Sequence, residues 1–100
     1  MTNKEQFEAL VEGDRFYFED AEGNRTVTFT KGADGSAYTR EQNALYGIDP
    51  DAFPLKAEDF DRTFHPEDLT MSGKLIVGES PLVPAEPNPE LKLMLAVFGY

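Results

Sequence analysis

The sequence predicts an α+β fold: a small single domain in which an N-terminal helix and short helical turns pack on an antiparallel sheet. Three patterns predict it, namely a helical apolar spacing near the N-terminus, two alternating segments joined by a turn, and a later β-branched apolar segment. One hundred residues suffice for one modest core, and eight phenylalanines and four tyrosines supply large side chains for it. We therefore expect one domain spanning residues 1–100.

The first element is predicted to be a short amphipathic helix. Thr2 and Glu5 have the spacing of a capping box, in which each side chain bonds the other residue's backbone amide. Gly13 stands where a helix C-terminus favours a left-handed residue. Between these ends, the apolar side chains recur at helical spacing and form one stripe: Phe7, Leu10 and Val11.

A β-hairpin is predicted next. Residues 15–19 alternate, with Phe16 and Phe18 on one face, and residues 25–30 alternate in the same way. The intervening residues 20–24 (Asp-Ala-Glu-Gly-Asn) have the composition of a tight hairpin turn. Threonines at the other positions of the second strand suit the exposed face of a sheet.

The middle of the chain is predicted to contain short elements. We expect a third strand at residues 37–39, then a short helix that starts at a capping-box pattern, 39–42, and reaches Tyr46 before Gly47 stops it. Residues 48–69 lack a sustained period, so turns and irregular chain are expected to wrap the sheet there. The apolar anchors of that stretch are expected to be Phe53, Phe60 and Phe64.

The C-terminal third begins with a predicted buried strand at residues 74–78 (Lys-Leu-Ile-Val-Gly), followed by a proline-rich connection at 81–90 inside the domain. The last apolar segment fits two structures. Leu91, Leu95 and Phe98 share a helical face, whereas the odd-numbered residues from 91 to 97 alternate as in a strand. The core predicted from all these patterns consists of Phe7, Leu10, Phe16, Phe18, Val27, Phe29, Leu75, Val77, Leu91 and Leu95.

The sequence contains no recognisable catalytic or cofactor-binding motif, so we expect a protein that is not an enzyme and holds neither cofactor nor metal. Zero cysteines exclude a disulfide, a thiolate metal site and a cysteine nucleophile. The one histidine, His65, precedes a proline, and no serine lies in a nucleophile-elbow pattern. The pairs Asp49-x-Asp51 and Asp59-x-Asp61 lack the following glycine and glutamate that a calcium loop needs.

The net charge of −10 is the main functional signal. It disfavours direct nucleic-acid binding, because affinity for phosphates depends on clustered Lys and Arg. Residues 49–68 hold seven acids against two bases. This segment is either a solvated face whose aromatic side chains point into the core, or a surface that docks on a basic partner protein. In the second case the partner-binding residues are Asp49, Asp51, Glu58, Asp59, Asp61, Glu67 and Asp68.

Two resemblances bear on fold and function. Residues 12–20 (Glu-Gly-Asp-Arg-Phe-Tyr-Phe-Glu-Asp), about a tenth of the chain, resemble the opening hairpin of SH3-like small barrels, in which Gly-Asp precedes an alternating strand. This resemblance implies a small barrel. In composition, the small, acidic, cysteine-free chain is similar to phage-encoded inhibitors that imitate DNA. That likeness implies an acidic protein that inhibits a nucleic-acid-handling protein or complex by occupying its basic surface.

A structural or assembly protein is the alternative functional class. Residues 93–98 form the longest apolar run, and as a strand they would pair with a second copy at a sheet edge and form a homodimer. That run is far shorter than the roughly twenty residues that span a bilayer. The first ten residues also lack the basic and apolar regions of a signal peptide. We therefore expect a cytoplasmic protein without a membrane partner.

Added salt is expected to raise the melting temperature. Nineteen acidic side chains on one small domain repel one another, and 0.1 M salt screens such repulsion beyond about 10 Å. Salt also weakens favourable contacts such as helix caps, but acids outnumber bases by about two to one, so the repulsion dominates. Thermal melts between near zero and a few tenths molar sodium chloride test this. A melting temperature that falls would show that the acids are mainly paired.

Overall fold

The structure is a computed structural model and describes residues 1–62 and 68–85. Its four strands are antiparallel and lie in the order β3-β2-β1-β4, which confirms the predicted α+β class with an antiparallel sheet. An SH3-like barrel stays a prediction, and β3 does not pair with β4 within the described residues. In chain order the elements are α1 (Asn3–Ala9), β1 (Arg15–Glu19), β2 (Phe29–Lys31), β3 (Ala37–Tyr38), α2 (Arg40–Leu45), a 3-10 helix (Ala57–Asp61), α3 (Leu69–Ser72) and β4 (Lys74–Val77).

The N-terminus of α1 forms the predicted capping box. The backbone N–H of Glu5 donates to Oγ1 of Thr2 at 3.1 Å, and the backbone N–H of Thr2 donates to Oε1 of Glu5 at 3.0 Å. These bonds satisfy backbone donors that the first helical turn leaves without partners. They also favour the charged carboxylate, so the hydrogen bond from the Thr2 backbone lowers the pKa of Glu5.

Helix α1 ends before Val11, earlier than the apolar spacing predicts. Leu10 is already extended, and the backbone N–H of Val11 donates to Oδ2 of Asp14 at 2.9 Å. This side-chain bond replaces the next helical hydrogen bond, so Val11 does not continue the apolar stripe of the helix as its spacing predicts, and it is 65% exposed. Gly13, with φ +92°, belongs to the turn that leads into β1 and does not cap the helix.

Five phenylalanine rings form the centre of the core. Phe7 of α1 packs edge-on against Phe16 of β1, with ring centroids 5.9 Å apart, and lies 5.1 Å from Phe60 of the 3-10 helix. Phe16 stacks on Phe29 at 5.4 Å, and Phe18 contacts both Phe29 and Phe60. Complete burial of one such side chain contributes about 2–3 kcal/mol. The cluster therefore joins α1, the sheet and the 3-10 helix.

The rest of the predicted core is confirmed in part. Leu75 of β4 is buried, and Leu10 and Phe29 pack partly buried against the same cluster. Val27 is only half-buried, and Val77 is 64% exposed because β4 is an edge strand and not the buried strand that its apolar sequence predicts. Ala37 and Leu55 are core residues that the sequence patterns did not indicate. Leu91 and Leu95 lie outside the described residues.

The β1–β2 hairpin contains a bulge, which explains why the strand predicted at 25–30 is shorter. Phe16 faces Phe29, but Glu19 faces Arg25, so β2's side of the hairpin has one residue more than β1 between these pairs. At the bulge, the backbone N–H of Phe18 donates to Oγ1 of Thr26 at 3.1 Å instead of to a ladder carbonyl. The backbone carbonyl of Thr26 is thereby left for another partner.

The segment after β4 supplies that partner. Oγ of Ser80 donates to the carbonyl of Thr26 at 2.7 Å, and the backbone N–H of Ser80 donates to Oγ1 of Thr28 at 2.8 Å. Further along, the side chain of Gln42 in α2 donates to the carbonyl of Ala85 at 2.8 Å. The predicted proline-rich connection therefore starts directly after a residue bonded to the hairpin and is bonded to α2 at Ala85, and its second half lies outside the described residues.

Both edges of the sheet carry a covering contact. On the β3 edge, Ala37 and Leu55 exchange two backbone hydrogen bonds of 2.8 Å. On the β4 edge, the outward N–H of Leu75 donates to Oδ1 of Asn3 at 3.0 Å, and Nδ2 of Asn3 donates to the carbonyl of Gly73 at 2.9 Å. Such contacts hinder pairing with another chain. The predicted homodimer through residues 93–98 involves residues beyond the described part and stays a prediction.

Substitution Asn3→Ala is expected to destabilise the fold by about 2 kcal/mol, because the side chain makes three part-buried hydrogen bonds to α3 and β4. The measurement is the urea midpoint at constant m-value. Gln6→Ala, on the same helix, makes a suitable control, since Gln6 donates no side-chain hydrogen bond among the described residues. Equal midpoints for the two variants would contradict the role of Asn3.

Candidate functional site

Three of the predicted partner-binding acids are ion-paired, and one of the pairs connects α1 to the 3-10 helix. The pairs and their N–O distances are Arg40–Asp51 at 2.7 Å, Lys4–Asp61 at 2.8 Å and Arg62–Asp68 at 3.0 Å. The hydrogen bond with Asp61 raises the pKa of Lys4, and the one with Asp51 raises the pKa of Arg40. These partly exposed pairs add little stability, but they orient the acidic segment on the fold.

The other predicted acids act differently. Oδ1 of Asp49 accepts from the backbone N–H of Asp51 at 2.8 Å, and Oδ2 of Asp59 accepts from the backbone N–H of Lys56 at 2.8 Å, so both carboxylates close turns. Glu58 is exposed and forms no ion pair within the described residues. The remaining predicted residue, Glu67, lies outside them.

Arg15 is a basic residue that sequence reasoning did not single out. Its Nη2 lies 2.6 Å from Oε1 of Glu41, its Nη1 donates to Oγ1 of Thr30 at 3.0 Å, and its Nε lies 3.4 Å from Oε1 of Glu79. The contact between Arg15 and Glu79 is an ion pair in which Nε of Arg15 does not form a hydrogen bond. Burial raises the pKa of Glu41, but the hydrogen bond and charge of Arg15, a backbone hydrogen bond and the charge of Arg40 together lower it below its ordinary value. Arg15 thus joins β1 to α2 and to the segment after β4.

Lys31 is buried and unavailable to a partner, with 5% of its surface exposed. Its Nζ donates to the backbone carbonyl of Phe7 at 2.5 Å and lies 3.8 Å from the centroid of the Phe7 ring. Burial lowers the pKa of Lys31, and the negative charges of Glu8 and Asp14 oppose that shift. The cation lies at the C-terminal part of α1, where a positive charge is favourable.

These contacts leave an acidic surface. Of the eight basic residues in the described part, five are in ion pairs, Lys31 is buried, and only Lys56 and Lys74 have neither role. The acids that form no ion pair within the same part are more numerous: Glu5, Glu8, Glu12, Asp14, Asp20, Glu22, Asp34, Asp49, Glu58 and Asp59.

Asn43 fixes the loop that follows α2. Its Nδ2 donates to the carbonyls of Pro50 at 3.0 Å and Ala52 at 3.1 Å, and its Oδ1 accepts from Oγ1 of Thr39 at 3.3 Å. Because Thr39 is engaged in this way, it caps no backbone amide of α2, so the predicted helix is confirmed without its capping box. Gly47, with φ +75°, ends the helix as expected.

Phe53 is exposed, which corrects the prediction that it anchors the chain to the core. Its side chain is 82% exposed, and its φ of +54° is unusual for a bulky residue. Phe60 does pack on the core as predicted, and Phe64 lies outside the described residues. Pro50 and Pro54 on either side of Phe53, without helical or strand period, were the available sequence signal for a protruding loop.

A shallow depression of ≈ 540 Å³ lies between the β2–β3 turn and the start of the 3-10 helix. Asp34, Lys56 and Glu58 give it a mixed charge. Oδ2 of Asp34 accepts from the Tyr38 hydroxyl at 2.7 Å, which lowers the pKa of Asp34 and raises the pKa of Tyr38. No group of His, Asp and Glu residues in 1–62 and 68–85 is arranged to hold a metal ion, and His65 falls in the gap.

No protein-family model, curated protein or solved structure matches this chain. Within the part that the structure describes, no helix has the length and apolar character needed to cross a membrane. The charges and exposed side chains of the chain itself are therefore the features that bear on its function.

Substitution Tyr38→Phe is expected to raise the pKa of Asp34 towards its ordinary value, because the Tyr38 hydroxyl is the largest cause of the lowered pKa. A carboxylate with a lowered folded-state pKa stabilises the fold above its unfolded pKa, and this contribution is lost as the pH falls through the folded pKa. The variant should therefore lose less stability on acidification. NMR titration of the Asp34 carboxyl carbon tests this, with Tyr46→Phe as control. An unchanged Asp34 titration would contradict it.

Proposed function

We propose that this protein is a non-enzymatic acidic binding protein that docks on a basic surface of a partner protein. This proposal is supported by the unequal pairing of basic and acidic side chains. Most cations of the described part are held in ion pairs or buried, whereas ten acids form no ion pair there. The charge that the described part presents to a partner is therefore mainly negative.

An acidic surface of this kind favours a basic partner in two ways. It steers the encounter through long-range attraction, and it suppresses acidic partners through like-charge repulsion. In the acidic segment, Asp49, Glu58 and Asp59 carry charge without an ion pair in the described part, while Asp51 and Asp61 are held by Arg40 and Lys4. We propose that the first group contributes charge to docking and that the ion-paired acids keep the segment in place.

We also propose a more specific form, the DNA-mimic form, in which the partner is a nucleic-acid-handling protein or complex in the cytoplasm. The protein would inhibit it by occupying the basic surface that normally contacts nucleic acid, as a DNA mimic does. Two properties support this form: the strong negative charge and the small number of cations left outside ion pairs. An inhibitor that acts by occupation needs neither a catalytic residue nor a cofactor.

The test is affinity capture on the immobilised protein at low and high salt, followed by mass spectrometry. Basic proteins should be enriched at low salt and released by high salt. If the DNA-mimic form is correct, added duplex DNA should also release them. The double variant Asp49→Asn with Glu58→Gln should capture several-fold less. The control, Glu8→Gln with Glu22→Gln, has the same net charge and should capture nearly as much as the wild type.

Captured proteins that are acidic, or binding that is indifferent to salt, would contradict the basic partner. An equal loss of captured protein in the two double variants would instead show that binding depends on net charge and not on the segment at residues 49–68. Persistence of the captured complex in excess duplex DNA would remove the DNA-mimic form alone.

A further inference from the structure

Phe53 differs from the other phenylalanines that the structure describes. Phe7, Phe16 and Phe18 are buried, and Phe29 and Phe60 pack against the same cluster. Phe53 is 82% exposed. A protein of this size needs its phenylalanines in the core, and a ring left mostly exposed gains little of the stability that burial gives.

The loop holds Phe53 rigidly in this position. On the N-terminal side, Nδ2 of buried Asn43 donates to the carbonyl of Ala52 at 3.1 Å. On the C-terminal side, Leu55 exchanges two backbone hydrogen bonds of 2.8 Å with Ala37 at the edge of the sheet. Between these contacts Phe53 keeps a φ of +54°, a strained backbone state that persists only where surrounding contacts impose it.

The loop that carries Phe53 combines apolar and acidic residues in sequence. Leu45, Tyr46 and Ile48, at the end of α2 and the start of the loop, are also exposed. The loop contains two acids, of which Asp51 is ion-paired with Arg40 and Asp49 forms no ion pair in the described part. An exposed aromatic side chain on a loop with further exposed apolar residues and an acid has the character of the central anchors in protein interfaces.

We infer that Phe53 is the apolar anchor with which this protein docks, and that it enters an apolar pocket bordered by Lys or Arg on the partner protein. This inference rests on the proposed function, because charge complementarity with Asp49 and the overall negative field select the basic rim. The fixed loop lowers the entropy lost on docking, since the backbone that carries the ring is already held in place.

The probe is a display library of short random peptides selected on the wild-type protein. Enriched peptides should combine Lys or Arg with a large apolar residue. Their affinity is then measured for Phe53→Gly, Phe53→Tyr and, as a control, Val83→Gly, which removes a 71% exposed side chain elsewhere. Phe53→Gly should bind at least about tenfold more weakly, whereas Phe53→Tyr and Val83→Gly should bind within a few-fold of the wild type.

Folding is checked by the melting temperature. Glycine accepts the positive φ without strain, and the ring makes no buried contact, so Phe53→Gly should not melt lower than the wild type by more than a few degrees. A large drop would show that the ring supports the fold and would overturn the inference.

The outcomes separate this inference from the proposed function. Basic peptides that bind Phe53→Gly as well as the wild type would overturn the anchor and leave the basic-partner proposal standing. Enriched peptides that lack basic residues but still require Phe53 would overturn the basic-partner proposal and leave the anchor standing. No enrichment at all would count against both.

Discussion

The phenylalanine cluster is the constraint on which the rest of this fold depends. In the described residues its strands have two to five residues and its helices at most seven, lengths that are not stable alone in water. Rings from α1, β1, β2 and the 3-10 helix supply the shared apolar contact, and Phe16 and Phe18 lie at its centre with no exposed surface. Replacing either ring with alanine in such a core costs about 3–5 kcal/mol.

Short elements also leave many backbone groups without regular partners, and polar side chains satisfy them. Asn3 caps the β4 edge, Asn43 holds the loop after α2, Asp14 ends α1, and Thr26 completes the bulged hairpin. Except at Asp14, whose contact is exposed, each of these contacts satisfies a part-buried group that would otherwise destabilise the fold. Asn43 has a second consequence, because the loop that it fixes displays Phe53 beside two acids. The polar contacts that stabilise this small domain therefore also determine that Phe53 is exposed on its surface.

Local sequence patterns predicted the helices and strands well, but they predicted poorly which of the side chains would be buried. The capping box at Thr2 and Glu5 and the alternation through Phe16 depend on neighbours in sequence, and the structure shows both. The exposure of Val77 depends on which strand lies at the sheet edge, and that of Phe53 on a hydrogen bond to Asn43. For the candidate site, composition predicted an acidic segment, but the pairing of Asp61 with a lysine in α1 required the tertiary structure.

The phenylalanines that the structure describes divide between a closed core and one displayed ring, Phe53. Fluorine NMR of protein labelled with fluorophenylalanine, titrated with a soluble paramagnetic quencher, tests this division directly, with each resonance assigned through a Phe→Leu variant. The structure predicts rapid broadening of the Phe53 signal and protection of the signals from Phe7, Phe16 and Phe18, with little broadening for Phe60. A Phe53 signal as protected as that of Phe16 would contradict this division, as would a Phe16 signal broadened as readily as that of Phe53.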